Sequence, residues 1–271
     1  MEYPGSHAIV TGGSSGIGRA LVAQLADRGA EVSVIALGDD DLASVGEEHA
    51  HRDGVVTTHA ADVGDEAEVV AAVAEAVERH GPCDLLITSA GISRPGHFLE
   101  MPDGSFETHM RVNYFGTLYA IRAVAPSMIS RRGGSMVAIS SAAGLLGVFG
   151  YAAYGSTKYA VRGLCDVLRT EMKPHGVHVG CVYPTDVDTP QFHGERPYLP
   201  AEALAISGTI KPISAERVAE AILRGVDRRR ANIFTDRATT VLDRIVRMAP
   251  GLTQRWLDWR VSTVTRGKPV G

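Results

Sequence analysis

The chain has 271 residues, 45% of them hydrophobic, with 27 basic against 31 acidic side chains and a formal net charge of −4. That is enough chain and apolar content for one large folded domain. A pI near 6.2 excludes a global electrostatic case for nucleic acid.

Cys83, Cys165 and Cys181 are odd in number and lack CxxC spacing, which argues against a disulfide framework or a zinc site and suits a reducing compartment. The start MEYPGSHAIVTGG lacks a basic segment followed by an apolar one, and no run of about 18 apolar residues occurs. The expectation is a cytoplasmic protein, or one held peripherally at a membrane.

Residues 7–11 (HAIVT) read as a short buried strand. Gly12, Gly16 and Gly18 follow, and residues 17–28 carry Leu21, Val22 and Leu25 at helical spacing. Strand, glycine loop and helix together form a dinucleotide fingerprint. Glycines let the backbone approach a phosphate, and a helix start offers free N–H groups to an anion. Gly12, Ser14, Ser15, Gly16, Ile17 and Gly18 are therefore candidate phosphate contacts.

Residues 31–36 are a second strand, whose end should meet the adenosine ribose. Ala36, Leu37 and Gly38 stand there, followed by Asp39, Asp40 and Asp41. Neither an acid for the ribose of NAD nor an arginine for the 2′-phosphate of NADP occupies this end, and the aspartates read as a helix cap. Arg19 either reaches a 2′-phosphate or stays solvated.

A third strand spans 55–59, with Asp62 and Val63 beyond it as adenine contacts or as the cap of a helix over 66–80. Residues 84–88 form a fourth strand closed by Ser89, Ala90 and Gly91. The pattern then predicts one helix over 105–130. Asn113 in its interior is unfavourable, so it serves a polar task or satisfies a neighbouring backbone.

Residues 135–140 are a fifth strand with Ser141 at its C-terminal end. A helix over 152–173 sets Tyr154 and Lys158 one turn apart on one face. An ammonium beside a phenol lowers the tyrosine pKa, which tunes it as a general acid or base. A sixth strand covers 177–182 and a seventh 232–236. Every candidate group follows the C-terminal end of a strand, where open parallel sheets bind ligands. The expected fold is α/β: a single doubly wound Rossmann-type domain over 1–236, with about seven parallel strands flanked by helices. Residues 237–271 form a basic C-terminal helical extension.

In that order and spacing, residues 6–236 resemble the short-chain dehydrogenase/reductase family. The resemblance rests on Thr11-Gly12-x-x-x-Gly16-x-Gly18, Asp62, Ala90-Gly91, Asn113, Ser141, Tyr154-x-x-x-Lys158 and 184–189. It implies an enzyme that interconverts a ketone and a secondary alcohol with NAD or NADP, NADP(H) being favoured over NAD(H). Tyr154 would be the general acid or base, and Lys158 would lower its pKa and bind the nicotinamide ribose. Ser141 would orient the carbonyl, and Asn113 would hold a water linking Lys158 to solvent. Pro184, Val187 and Thr189 would lie at the nicotinamide, Asp62 and Val63 at the adenine, and Ser89 to Gly91 along the cofactor.

Two positions depart from the pattern. Thr88 stands where the family has an asparagine, its hydroxyl replacing the amide or the packing differing. Thr185 stands where a glycine is usual. Residues 144–164, 169–177 and 183–192 are similar to those of family members that reduce long-chain 3-keto sphingoid bases, which have an arginine where Leu37 stands. A steroid, 3-oxoacyl or other small ketone is the alternative substrate. A cofactor-binding regulatory protein or an assembly subunit without turnover is the alternative of another class.

Residues 190–212 lie where the family places its substrate loop. Phe192, Tyr198, Leu199, Leu204 and Ile206 form an apolar substrate wall or pack the loop onto the core. The extension has arginines and tryptophans around an apolar stripe of Val241, Leu242, Ile245, Val246 and Met248. It either covers the active site, packs a dimer, or rests on an anionic membrane through 237–268. The resemblance also implies a homodimer or homotetramer through the helices that hold Asn113 and Tyr154.

Overall fold

The computed structural model describes residues 2–38, 40–50, 55–207 and 211–265. Asp39, Thr209, Arg266 and Lys268 lie outside the described residues.

The strands are β1 (His7–Thr11), β2 (Glu31–Ala36), β3 (Val56–Ala60), β4 (Leu85–Thr88), β5 (Ser135–Ile139), β6 (His178–Tyr183), β7 (Val187–Asp188), β8 (Ile213–Ser214) and β9 (Asn232–Phe234). Seven of them form a parallel sheet in the order β3-β2-β1-β4-β5-β6-β9, while β7 pairs with β8. β1, β4, β5 and β6 are buried at every position. Strands covered on both faces read as unbroken apolar runs, which is why the sequence made them visible.

Helices α1 (Gly16–Asp27) and α2 (Asp40–His49) cover one face, and α3 (Glu66–His80) covers the other. Asp65 caps α3 by accepting from Ala67 N at 2.8 Å, and Val69, Ala72, Val73 and Ala76 form its inward stripe. The chain returns past β1 to lay β4 on its far side, in register Thr11 with Thr88. The order thus reverses between β1 and β4, which opens a crevice over the strands' C-terminal ends.

The helix expected over 105–130 runs as α4 (Ser105–His109), a π-helical turn Met110–Phe115, and α5 (Gly116–Arg131) without a break. The wide turn re-aims Asn113 into the interior, where it is 0% exposed. The expected helix is therefore present, with a π-bulge inside it that apolar spacing did not mark.

α6 (Ala152–Met172) follows β5. α7 (Pro190–Glu195) and α8 (Ala201–Ser207) make up the segment before β8, and α9 (Ala215–Asp227) joins α1 on the first face. In the extension, Asp236 caps α10 (Arg237–Met248), accepting from Thr239 N at 2.7 Å. α11 (Pro250–Thr265) packs on α8. Leu242, Val246 and Leu257 join the core, while Val241, Ile245, Met248, Leu252 and Trp259 stay exposed. Among the described residues no helix is long and apolar enough to cross a membrane.

Candidate active site

The loop after β1 is shaped by close backbone contact. Gly12 has φ 67°, and a Cβ there would lie 2.6 Å from Ala90 N and Cα. A side chain at Gly18 would strike the Gly12 carbonyl, so Gly18 is buried beneath the loop rather than facing a ligand. Ser15 stands at the N-cap of α1 and its side chain makes no capping bond. The first N–H groups of α1 therefore open toward the crevice, a cradle suited to a pyrophosphate. The residues present thus fit a dinucleotide.

Ser141 starts a short 3₁₀ turn beyond β5, where its Oγ accepts from Ala143 N at 3.1 Å. The neighbouring Ser140 Oγ donates to Lys158 O at 2.8 Å and ties that turn to α6. On α6, Lys158 Nζ lies 5.4 Å from the centre of the Tyr154 ring and donates to Ile139 O at 3.0 Å. Asn113 Oδ1 accepts from Ile92 N at 2.8 Å, and its Nδ2 donates to Ile92 O and to Thr157 Oγ1, both at 3.0 Å. The π-helical turn thereby latches the loop after β4 onto α6. Gly91 completes that contact: a Cβ on it would sit 3.2 Å from Asn113 Oδ1 and 3.5 Å from Lys158 Nζ.

The electrostatics differ from the expectation that Lys158 lowers the Tyr154 pKa. Burial pushes the Tyr154 phenol well above its ordinary value, the Ser141 hydroxyl opposes this, and Glu195 and Asp186 reinforce it. Burial also pulls the Lys158 ammonium down to about 8. Desolvation is the largest cause for each group, and the two carboxylates add to it at Tyr154.

A cavity of about 350 Å³ runs over these groups. It brings together Gly12, Ser15, Gly16, Ile17, Ser89, Ala90 and Gly91 with Ser141, Tyr154, Lys158, Pro184, Val187, Thr189 and Phe192. Other sequence candidates lie elsewhere. Ser14, Asn113, Val63 and Leu199 are not on its wall. Arg19 is paired with Glu48 at 2.8 Å, Leu37 is 60% exposed, and Asp62 is held by Arg111 at 3.1 Å. Tyr198 stacks under the Arg94 guanidinium, 4.5 Å away. Ile206 joins the wall as expected, but Leu204 is exposed. The Thr88 hydroxyl is buried without a hydrogen-bond partner among the described residues, so it does not stand in for an asparagine amide.

Sequence reasoning missed Tyr151, Asp186 and Glu195, which line the cavity, as do Leu242 of α10 and Trp256 of α11. Tyr151 precedes Tyr154 by three residues, and that helical spacing was the available signal. Two residues of the extension thus take part in the cavity wall.

Comparison with known proteins agrees. Residues 6–198 match the family model described as short chain dehydrogenase. The chain is similar to 3-ketodihydrosphingosine reductase of Bos taurus, 41% identical over 229 residues, 83% of this chain and 69% of that protein. Its fold is similar to a short chain dehydrogenase/reductase from Burkholderia phymatum in complex with NAD, with TM-score 0.84 and 25% identity over 93% of this chain and 96% of that one. It is also similar to a short chain dehydrogenase from Burkholderia cenocepacia J2315 in complex with NADP, with TM-score 0.80 and 25% identity over 95% and 99% of the two chains. A glycine cradle at the sheet's switch point, a serine, tyrosine and lysine in one crevice, and a family match over most of the fold lead to one conclusion: the chain belongs to the short-chain dehydrogenase family of NAD(P)-dependent oxidoreductases.

Proposed function

We propose that this protein reduces a long-chain 3-keto sphingoid base to the secondary alcohol, with Tyr154 as the proton donor. The observation that carries the reading is the cavity itself. Ser141, Tyr154 and Lys158 converge in it, and Leu146, Val148, Ile206, Leu242 and Trp256 supply an apolar wall. The similarity to the bovine 3-ketodihydrosphingosine reductase supports the substrate class.

When bound, the nicotinamide supplies the hydride. The chain's own residues do the rest. Ser141 Oγ and the Tyr154 hydroxyl grip the carbonyl oxygen and polarise it. Tyr154 then gives its proton to that oxygen as the C–O bond becomes an alcohol. A raised phenol pKa suits this direction, since the group is fully protonated at neutral pH. Lys158, beneath the ring, stabilises the phenolate that forms. Asn113 acts through position: it holds the 91–92 loop and α6 in one arrangement.

NADP(H) is the preferred cofactor in this reading. The residues that directly end β2, Ala36, Leu37 and Gly38, carry no carboxylate to hold the ribose of NAD, and Arg19 can exchange Glu48 for a 2′-phosphate. Phe115, Tyr159 and Val167, exposed on or beside α5 and α6, support a homodimer or homotetramer through those helices. The exposed apolar residues of α10 and α11 support peripheral contact with a membrane, from which a lipid ketone would enter. Residues 1–236 act as the catalytic unit and 237–271 as its cover. Oxidation of NADPH and NADH, followed by absorbance with a ketone panel that includes a long-chain 3-keto amine, tests the reading. Turnover of that amine with NADPH is expected. Its absence, with steroid or short ketones reduced instead, overturns the substrate assignment.

A further inference from the structure

Among the described residues, the charged ones on the cavity wall are Lys158, Asp186 and Glu195. Lys158 is directed to the Ile139 carbonyl, so among the described residues the two carboxylates line the cavity without a cation of their own. Glu195 is only 8% exposed. Its oxygens accept from Tyr151 OH at 2.9 Å and Gln191 Nε2 at 3.2 Å, two neutral donors that fix the carboxylate without cancelling its charge. Asp186 has its backbone clamped, its carbonyl accepting from Ile213 N at 3.1 Å. Its side chain makes no hydrogen bond or ion pair among the described residues. Both acids line the same cavity as Tyr154 and lie near enough to raise its pKa. The Tyr151 ring that anchors Glu195 lies 5.9 Å from the Tyr154 ring, centre to centre. Burying two carboxylates beside a proton donor is costly unless a cation joins them.

We propose that Asp186 and Glu195 form an ammonium subsite, which takes the amino group carried on the carbon next to the ketone and so selects 2-amino ketones over plain ones. The proposal rests on the sphingoid-base reading for its choice of ligand. A ketone whose oxygen lies at Tyr154 and Ser141 carries the neighbouring amine one carbon away. That geometry directs the ammonium to whichever wall beside Tyr154 bears negative charge. The burial that pushes both carboxyls upward is relieved when the cation arrives. Selection follows as well. An acylated nitrogen is neutral and would leave both carboxylates desolvated and unpaired.

The test measures binding first. A 2-amino-1,3-diol of the sphinganine type, with its chain shortened to stay below micelle formation, is titrated against the protein by tryptophan fluorescence. Its N-acetyl derivative is titrated in parallel. Trp256 on the cavity wall provides the signal. A charge-assisted hydrogen bond of ordinary strength corresponds to roughly 10- to 100-fold, so the wild-type chain is expected to prefer the free amine by at least about tenfold. The preference should shrink to about twofold in Asp186→Asn and in Glu195→Gln. Equal affinities in the wild-type chain overturn the proposal without any variant. An undiminished preference in both folded variants overturns it as well. Turnover of the matching 3-ketones separates the two readings. An amine preference in binding without reduction of either ketone keeps the subsite and sinks the substrate assignment. Equal kcat/KM for the amino and N-acetyl ketones keeps the assignment and sinks the subsite.

Discussion

Replacing Asn113 by alanine should unfasten the active site from within. The side chain makes three hydrogen bonds, to Ile92 N, Ile92 O and Thr157 Oγ1, from a position 0% exposed. Thr157 keeps its own bond to Tyr154 O at 2.7 Å, and Ile92 is exposed enough for water to reach part of its backbone. Full desolvation penalties therefore do not apply, and three neutral bonds at about 1 kcal/mol each give ~2–3 kcal/mol. In a chain of this size each kcal/mol moves Tm by about 2–4 °C, so a fall of ~4–12 °C is expected in a thermal melt. Because Gly91 and Lys158 share that contact, kcat/KM should fall by roughly tenfold or more at a temperature where the variant is still folded. A Tm within about 1 °C of wild type, with unchanged kcat/KM, would refute the claim that this asparagine latches the loop to α6.

Other expectations follow from particular residues. Thr88→Val removes a buried hydroxyl that lacks a partner and keeps the volume, so chemical denaturation should report a gain of about 1 kcal/mol; a loss would mean the hydroxyl is satisfied in solution. Trp256→Ala opens the far wall of the cavity and should raise KM for long-chain ketones more than for short ones, a contrast read directly from steady-state kinetics. Burial lowers the pKa of His7, and likewise of His80, below 6.5. The unfolded chain then binds more protons below about pH 6.5, so this contribution is fully present above that pH and lost as pH falls through it. Denaturation midpoints measured from pH 7.5 down to 5 should decline, and less steeply in His7→Gln.

How much the sequence disclosed depended on the range of the interaction. β1, β4, β5 and β6 were legible because strands buried on both faces are short apolar runs between turn residues. The glycine loop was legible because only glycine tolerates the approach of Gly12 to Ala90. Tyr154 and Lys158 share a helix face, a local relation that spacing encodes. The sign of the Tyr154 shift was not legible, since it depends on burial and on Asp186 and Glu195, brought close by the loop after β6. Arg19 pairs with Glu48 across two elements, and Leu242 and Trp256 reach the cavity only once the extension folds back. Such contacts leave no periodic trace.

The account turns on the Tyr154 hydroxyl as the proton donor. Tyr154→Phe keeps the ring and its packing and removes only that oxygen. With NADPH binding measured alongside and expected to stay near wild type, ketone reduction should fall by about 10²–10⁴-fold or more. Wild-type turnover by the folded, cofactor-binding variant would contradict the account.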